Sequence, residues 1–337
     1  ERHPQFKINL SITGLLIEQL QKWEPQVLES FQALAASGRL EIAAETYYHS
    51  LAFFYDRPEF ERQVDQHIQK IQEVFGQTPQ VFRNTELAYN NELAKWADGR
   101  SFKAILAEGW EPVLGWRSPN FLYRPINTNN VKLLLKNYRL SDDIAFRFGN
   151  HDWEGWPMTA DKFVHWLDET KEAEIFNLFM DYETFGEHQW ADTGIFDFLE
   201  DLPGKWIDHG NDFLTLSEAA DKFEPRDTID MPNTTTWADT ERDLTAWLGN
   251  AMQQEAATAV YSLADRIMSS GDWQLIDDWR RLQTSDHFYY MCTKWFNDGD
   301  VHAYFSPYKS PYDAFLNYMN VYHDLKWRAE SRQPQGV

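Results

Sequence analysis

Short apolar runs alternate with amphipathic stretches along the amino-terminal part of the chain. The segment from Phe6 to Thr13 alternates apolar and polar side chains, which is typical of a strand, and Gly14 ends it. From Leu15 to Ala36 the spacing of the apolar residues predicts a helix, and Pro25 predicts a break within it. A short apolar run from Leu40 to Ala44 then predicts a second strand.

The next segment carries the clearest helical pattern of the amino-terminal half. Asp56 is a residue type that caps helices at the amino terminus, and Pro58 suits the first turn. The apolar residues fall on one stripe at helical spacing, namely Phe60, Val64, Ile68, Ile71 and Phe75. Gly76 is expected to end the helix, because glycine readily adopts the left-handed conformation found there.

Further strands are predicted from short apolar runs and a fold class follows from their order. The runs are Val81 to Thr85, Ile105–Leu106, Val113–Leu114, Leu133 to Leu135 and Ile175 to Met180, with a weaker one at Phe213 to Leu216. Strands that alternate with helices pair in parallel, with the helices outside. No glycine-rich phosphate loop follows the early strands, which disfavours a nucleotide-binding sheet. The pattern therefore predicts an α/β fold with a parallel barrel.

The pattern changes near residues 225–237 (PRDTIDMPNTTTW), whose Pro, Asp and Thr content indicates a linker. Beyond it, apolar residues recur every three or four positions from Leu244 to Ile267. Asp272 to Arg281 and Pro311 to Trp327 are also predicted to be helical. We therefore expect a barrel over residues 1–232 and an all-α region over residues 233–337.

Charge and composition narrow the possible partners. The chain of 337 residues has 31 Lys and Arg against 53 Asp and Glu, a formal charge of −22. Nucleic acids and anionic membrane surfaces repel such a protein, so neither is expected as a partner. No apolar run is long enough to span a bilayer, and the single cysteine, Cys292, permits no internal disulfide. A neutral or cationic ligand suits this chain best.

Two carboxylates directly follow predicted strands, which is where parallel barrels carry their chemistry. Glu86 follows the strand from Val81 to Thr85, and Asp181 follows the strand from Ile175 to Met180. Glycoside hydrolysis needs such a pair, with one carboxylate ionised and the other protonated. Glu183 shares the face of Asp181 if the strand geometry continues, and its charge would favour a protonated neighbour. From spacing alone, capping or solvated loop carboxylates remain the more common explanation.

Histidines near acids raise the question of a metal site. The histidines concerned are His49, His151, His188 and His287. The chain has no His-x-His or His-x-x-x-His pair to anchor a metal locally. Hydrogen-bonding histidines are therefore the favoured interpretation, and no metal or cofactor is expected.

Tryptophans cluster around the same segments, at Trp110, Trp116, Trp153, Trp156, Trp166 and Trp190. Flat rings stack on the apolar faces of sugar rings, although most tryptophans fill cores or interfaces. An acidic surface does not repel a neutral polysaccharide. Part of this cluster, with Trp190 included, is therefore expected to contact ligand.

Four stretches of the chain form a recognisable set, namely residues 38–42 (GRLEI), 82–89 (FRNTELAY), 179–188 (FMDYETFGEH) and 282–290 (LQTSDHFYY). Together they resemble the motifs of glycoside hydrolase family 57, the α-glucan-active family that includes α-amylases, 4-α-glucanotransferases and branching enzymes. The resemblance spans nearly the whole chain, and the third stretch is the most specific.

The resemblance implies a fold, a reaction and a set of site residues. The fold is an incomplete parallel (β/α)7 barrel followed by an all-α region that covers the cleft. The reaction is retaining hydrolysis of α-1,4-glucans of the α-amylase type without a metal, with Glu86 as nucleophile and Asp181 as general acid/base. Retention predicts carboxyl groups about 5–5.5 Å apart. Motif positions imply sugar contacts by Glu41, His188, Asp286 and His287, local geometry adds His49 and Glu183, and the aromatic cluster adds Trp190.

Three alternatives stay open at this point. The first is glucan transfer or branching at the same site, and the second is a glucan-binding protein without catalysis. The third is a metal-dependent enzyme related to polysaccharide deacetylases. Glucan chain length and oligomeric state are left open.

One motif of the family is absent. His3-Pro4-Gln5 has the letters of the first motif, His-Gln-Pro, in another order, and it precedes a strand instead of following one. We therefore expect the sequence to begin after the first barrel strand and to lack a sugar-binding histidine. No secretory leader is recognised, so a cytoplasmic location is expected.

Overall fold

Strands and helices alternate over the amino-terminal part of the chain in the computed structural model, which describes residues 2–294 and 306–331. The elements in chain order are β1 (Ile8–Leu10), α1 (Gly14–Trp23), α2 (Pro25–Ala36), β2 (Leu40–Ile42), α3 (Arg57–Phe75), β3 (Val81–Phe82), α4 (Asn91–Gly99), β4 (Ala104–Glu108), α5 (Glu111–Leu114), β5 (Arg124–Pro125), β6 (Lys132–Lys136), α6 (Tyr138–Asp142), α7 (Ala160–Glu169), α8 (Ile195–Asp208), α9 (Leu216–Lys222) and β7 (Thr228–Ile229). The helices that follow are α10 (Thr245–Leu248), α11 (Ala251–Ser262), α12 (Ala264–Ser270), α13 (Trp273–Arg281), α14 (Ser285–Tyr289) and α15 (Pro311–Ser331).

Helix α3 forms as its sequence pattern predicts. The Asp56 carboxylate accepts a hydrogen bond from the backbone N–H of Glu59 at 2.9 Å, which satisfies one of the free donors of the first turn. Gly76 ends the helix with φ +69°. Phe60 and Val64 are fully buried and face the sheet side of the core. The helix is therefore fixed by a capped start, a glycine end and one apolar stripe.

The strands pair in parallel, which confirms the α/β class. β1 pairs with β2, and β3, β4 and β6 form a three-stranded sheet in the order β3-β4-β6. A parallel bridge between Ala44 and Phe82 joins the end of β2 to β3. β5 and β7 form a separate parallel pair. The neighbouring parallel strands therefore form one continuous series in the order β1, β2, β3, β4 and β6.

Several predicted strands differ from the structure. Val113–Leu114 lies in helix α5, where Pro112 occupies the first turn and favours a helical start. Residues 175–180 have no regular secondary structure, and residues 213–216 lead into α9. The predicted linker at 225–237 is wrong, because it contains β7. Two-residue strands such as β5 and β7 carry too little pattern to be recognised from sequence.

Helix α9 covers the amino-terminal edge of the three-stranded sheet. Lys103, just before β4, places its Nζ 2.6 Å from an Asp221 oxygen, and Lys132, at the start of β6, donates to the Ala220 carbonyl at 2.7 Å. The opposite edge, where the strands end, is where Glu86 follows β3. That edge carries the candidate site.

The carboxyl-terminal helices share the main core with the helices that flank the sheet. Trp247, Trp279 and Phe288 are at most 1% exposed and belong to the same buried cluster as Phe60 of α3 and Leu93 of α4. Within residues 2–294 and 306–331, no helix has both the length and the apolar character that crossing a membrane requires.

Candidate active site

Glu86 lies in a tight turn, Thr85–Leu87, that is separated from the end of β3 by two residues. Its backbone is left-handed at φ 57° and ψ 28°, and Leu87 follows at φ 52°. Residues with a side chain adopt this conformation at a cost, so it persists only where the surroundings fix it. The Thr85 hydroxyl, which is buried, donates to the Ser50 carbonyl at 2.8 Å and anchors the turn. The turn thus directs the Glu86 side chain beyond the end of the strand.

Each carboxylate oxygen of Glu86 has a hydrogen-bond partner. His49 Nε2 lies 2.8 Å from Oε1, and the Trp237 indole N–H donates to Oε2 at 2.7 Å. Burial alone would raise the pKa of Glu86, but the bond and charge of His49, the charge of Arg83 and the indole N–H together lower it. Glu86 is therefore held in its ionised form.

His49 is itself held between two carboxylates. Its Nδ1 lies 3.3 Å from Oε2 of Glu45, opposite the bond to Glu86. Burial would lower the pKa of His49, but the hydrogen bonds and charges of Glu45 and Glu86 raise it to about 10. His49 is therefore a cation at neutral pH, and both of its ring nitrogens donate.

Glu45 supports His49 from inside the protein. The residue is 1% exposed, and the Ser11 hydroxyl donates to its Oε1 at 2.7 Å. Although burial opposes ionisation, the hydrogen bond from His49 and the charges of Arg83 and His49 lower the pKa of Glu45 to about 2. The buried carboxylate therefore stays charged and keeps His49 protonated.

His67 contacts the backbone of Glu45. The backbone N–H of Glu45 donates to His67 Nδ1 at 3.3 Å, so Nε2 carries the proton and donates to the Ile12 carbonyl at 2.8 Å. Burial lowers the pKa of His67, which is fully enclosed. His67 is therefore a neutral support that orients the Glu45 backbone.

Asp181 follows the segment 175–180 and has the opposite protonation preference from Glu86. Its side chain is exposed to solvent. Desolvation and the negative charges of Glu86 and Glu183 raise the pKa of Asp181 to about 6, against the opposing charges of Arg83 and His188. The two carboxyl groups thus influence each other electrostatically, with one ionised and the other inclined to hold a proton.

Three more of the predicted residues share this electrostatic environment, namely Glu183, His188 and Asp286. Asp286 reaches it from α14, because the Ser285 backbone N–H donates to the His49 carbonyl at 2.9 Å. Desolvation raises the pKa of Asp286, and the charges of Glu86 and Glu183 add to this while His49 and the neighbouring His287 oppose it. The carboxyl-terminal helices therefore contribute a carboxyl group to the candidate site.

Glu41 makes its contacts elsewhere. Its carboxylate accepts hydrogen bonds from the Ser217 backbone N–H at 2.8 Å and from the Ser217 hydroxyl at 3.0 Å. Ser217 lies in the first turn of α9, which covers the opposite edge of the sheet. The side chain of Glu41 therefore ties β2 to α9 and is not brought to Glu86.

His287 and Trp190 are also set apart from the Glu86–His49 contacts. His287 Nε2 lies 3.2 Å from the Arg281 carbonyl, and its ring centre is 5.6 Å from that of Tyr318 in α15. Trp190 is 60% exposed at the turn that precedes α8. Its side chain is available to a ligand, whereas the contacts of His287 are those of helix packing.

Sequence reasoning missed three contributors to this site, namely Glu45, Arg83 and Trp237. Glu45 could have been found, because it precedes His49 by four residues and directly follows the short apolar run from Leu40 to Ala44. Arg83 lies inside the second motif stretch, between β3 and Glu86. Trp237 gave no signal, because its segment has the composition of a linker. Within the described ranges 2–294 and 306–331, no three His, Cys, Asp or Glu side chains are grouped to hold a metal ion.

Comparisons with known proteins agree with the fold. Residues 1–232 match the sequence model of glycosyl hydrolase family 57. A protein of Methanocaldococcus jannaschii, named as a candidate alpha-amylase, is 44% identical over 334 residues, which is 96% of this chain and 71% of that protein.

Two solved structures have a similar fold at low sequence identity. The 4-alpha-glucanotransferase of Thermococcus litoralis superposes with a TM-score of 0.66 at 14% identity, over 85% of this chain and 50% of that one. A branching enzyme of family 57 from Pyrococcus horikoshii gives a TM-score of 0.68 at 14% identity, over 96% of this chain and 77% of that one. At these identities the structures show the fold alone. The match over residues 1–232 and the 44% identical relative carry the assignment: the chain belongs to glycosyl hydrolase family 57 and is a glycoside hydrolase.

Proposed function

We propose that the protein is a retaining glycoside hydrolase of the α-amylase type that acts on α-1,4-glucans. The observation that carries this proposal is the contrast between two mutually influencing carboxyl groups, Glu86 with a lowered pKa and Asp181 with a pKa raised to about 6. A two-carboxylate mechanism needs that division into a nucleophile and an acid. The name of the M. jannaschii relative supports the substrate class.

The reaction has two steps. In the first, an oxygen of Glu86 forms a bond to the anomeric carbon as the glycosidic C–O bond breaks, and Asp181 gives its proton to the departing oxygen. In the second, Asp181 takes a proton from water, whose oxygen attacks the same carbon and releases Glu86. His49 and Arg83 keep the nucleophile ionised, and we propose no metal or cofactor for either step.

The remaining candidates are assigned according to their positions. Glu183, His188 and Asp286 are proposed to contact sugar hydroxyls, and Trp190 is proposed to stack on a sugar ring. The contacts of Glu41 and His287 favour structural roles for these two residues. The α-glucan is the only partner we propose, and a cytoplasmic location stays a prediction.

The finer architecture is part of the same proposal. We infer a (β/α)7-type barrel over residues 1–232, with a helical region over 233–337 that covers the cleft. One backbone hydrogen bond supports an additional barrel position. The Asn137 N–H donates to the Asn177 carbonyl at 2.9 Å, so residues 175–180 lie beside the end of β6.

Transfer of the glucan to another sugar is the second candidate function. It uses the same first step, and a sugar hydroxyl replaces water in the second. The fold shared with a 4-alpha-glucanotransferase and a branching enzyme favours keeping this candidate.

Incubation of the protein with maltoheptaose tests the proposal, with product lengths and the anomeric configuration of fresh products followed by NMR. Shorter products that retain the α configuration support hydrolysis, and products longer than the substrate support transfer. Binding without any product would favour a glucan-binding protein, and products of inverted configuration would contradict the proposed mechanism. Activity that is lost to a chelator and restored by a metal would favour the metal-dependent alternative.

Two variants assign the roles. Glu86→Gln and Asp181→Asn are each expected to lower kcat by about 10⁴-fold or more while leaving folding and glucan binding intact. Glu224→Gln, on a surface carboxylate whose side chain is 90% exposed, is the control and should behave as the original protein. Near-normal hydrolysis by either site variant would remove that residue from the mechanism.

A further inference from the structure

Trp237 binds Glu86 through both its backbone and its side chain. The Trp237 N–H donates to the Glu86 carbonyl at 3.3 Å, and the indole N–H donates to Oε2 at 2.7 Å. Two residues earlier, Thr235 exchanges backbone hydrogen bonds with Tyr89, each at 2.9 Å. Residues 235–237 therefore run antiparallel to residues 86–89 and follow the turn that carries the carboxylate.

Two cations hold the indole ring. The guanidinium carbon of Arg83 lies 5.0 Å from the ring centre of Trp237, and Nζ of Lys136 lies 5.2 Å from it. The Arg83 and Lys136 side chains are only 10% and 7% exposed, so both contacts are largely shielded from water. Cation–π attraction is strongest where the cation is desolvated, and it fixes the plane of the ring here.

A buried group of charges holds the backbone of Trp237. The Arg242 guanidinium donates to the Trp237 carbonyl at 3.1 Å, and its Nε lies 3.6 Å from Oε2 of the fully buried Glu108. Lys136 Nζ lies 3.8 Å from the same oxygen and 3.6 Å from Asp142. The ends of β4 and β6 thus determine the position of Trp237, which lies more than a hundred residues later in the chain.

We propose that Trp237 is the positioning residue of the nucleophile: its indole N–H fixes Oε2 of Glu86, and the Arg83–Lys136–Glu108–Arg242 group fixes the indole. This inference rests on the proposed function of Glu86. It gives a role to the charged residues that end β4 and β6, which the two-carboxylate mechanism itself does not use.

The indole bond has a property that the His49 bond lacks. An indole N–H does not titrate in the working range of an enzyme, so it donates in every protonation state of the site. When one Glu86 oxygen is bonded to the sugar, the other becomes the carbonyl oxygen of an ester and still accepts a hydrogen bond. Trp237 can therefore hold Oε2 before and after the first step, while the left-handed backbone of Glu86 remains fixed.

Trp237→Phe tests the inference, because phenylalanine keeps a ring between the cations but removes the N–H. We expect kcat on maltoheptaose to fall by about 10- to 100-fold, since bonds to charged groups have this weight, with KM changed less. We also expect the pKa of the Glu86 carboxyl, measured by ¹³C NMR, to rise. Trp206→Phe is the matched control, since it removes an indole N–H that donates to the Asp212 carbonyl at 3.1 Å in another part of the chain.

The outcomes are distinct. A Trp237→Phe protein with the original kcat and the original Glu86 pKa would overturn the inference, even if the proposed function stands. If the original protein releases no sugar, the proposed function fails, and the NMR pKa alone decides whether Trp237 holds Glu86. Should Trp237→Phe fail to fold by circular dichroism, Arg242→Lys is the milder variant. It keeps the charge beside Glu108 but alters the bond to the Trp237 carbonyl, and an unchanged kcat and pKa there would likewise overturn the inference.

Discussion

The imidazole of His49 binds the carboxylate of Glu86, with Nε2 2.8 Å from Oε1, while its other nitrogen faces Glu45. The chain therefore places one cation between a buried anion, Glu45, and a partly buried one, Glu86. Burial would neutralise each group separately, but together they remain charged because each supplies the partner that the other needs. The ionised state of the proposed nucleophile is thus a property of the group of three residues.

Replacing His49 is expected to change the pH dependence of the reaction. His49→Gln can still donate a hydrogen bond to Glu86 but carries no charge, so the pKa of Glu86 should rise. Glu86 must be ionised to attack, so the acid limb of kcat/KM should move to higher pH, and kcat/KM should fall by about tenfold or more. The check is a pH–rate profile on a maltooligosaccharide.

His209→Gln is the control for that profile. His209 also binds a carboxylate, with Nδ1 2.5 Å from Asp168, but it lies at the end of α8, outside the site. The His209→Gln variant should leave the acid limb of kcat/KM unchanged. An acid limb of His49→Gln that coincides with that of the original protein would contradict the role given to His49.

The basic limb of the dependence of kcat/KM on pH is expected to follow the ionisation of Asp181. With a pKa of about 6, Asp181 loses its proton as the pH rises through that value, and kcat/KM of the free enzyme should fall. Glu183→Gln removes one of the negative charges that raise this pKa, so the basic limb should move to lower pH. Glu172→Gln removes the same charge from an exposed position in the loop after α7 and should leave it unchanged. A basic limb that moves equally in both variants would mean that net charge, and not the position of Glu183, sets the pKa.

Local sequence pattern was sufficient where a feature depends on neighbours in the chain. Helix α3 has its cap, stripe and terminal glycine within about twenty residues, and Glu86 is identified by the apolar strand directly before it. The segment at 175–180 shows the limit of such reasoning. Its apolar pattern is that of a strand, but no strand forms there, and Asn177 donates to the Leu135 carbonyl through its side chain at 3.0 Å.

Features built by distant pairing could not be predicted. β7 pairs with β5, about a hundred residues earlier, and Trp237 reaches Glu86 across a separation of 151 positions. Proline and threonine around β7 gave the composition of a linker, although the backbone is fixed by its partners. For Glu41, a motif position implied a sugar contact, and only the structure revealed that its carboxylate binds Ser217 in α9.

Glu45 is expected to make stability depend on pH. Its folded pKa of about 2 lies below the ordinary value of 4.5, so its contribution is fully present above about pH 4.5 and is lost as the pH falls towards 2. The shift corresponds to about 3 kcal/mol of the free energy of unfolding. Urea denaturation at several pH values should show a smaller decline over this range in Glu45→Gln than in the original protein. The control is Glu73→Gln, on the exposed side of α3, whose free energy of unfolding should decline with falling pH as that of the original protein does. An equal decline in Glu45→Gln would show that the buried carboxylate is not ionised.

Gly109 directly follows Glu108, the last residue of β4. Its lack of a side chain is expected to matter for stability. A Cβ at this position would lie 2.2 Å from the Lys136 carbonyl oxygen and 3.0 Å from Cβ of Pro119. The first contact is with backbone, at the point where the Gly109 N–H donates to the same carbonyl at 3.1 Å, so no side-chain rotation can relieve it. Gly109→Ala should therefore lower the free energy of unfolding by about 2–4 kcal/mol. Gly99→Ala is the matched control, because a Cβ there meets nothing within 4 Å at the end of α4, and it should be neutral or stabilise by up to about 1 kcal/mol.

Since the clash in Gly109→Ala would push β6 away from β4, the separation of Lys136 from Glu108 should also change, and kcat should fall even in the folded fraction. Equal stability of the two variants in urea denaturation would show that the ends of β4 and β6 are not held as closely as the structure has them.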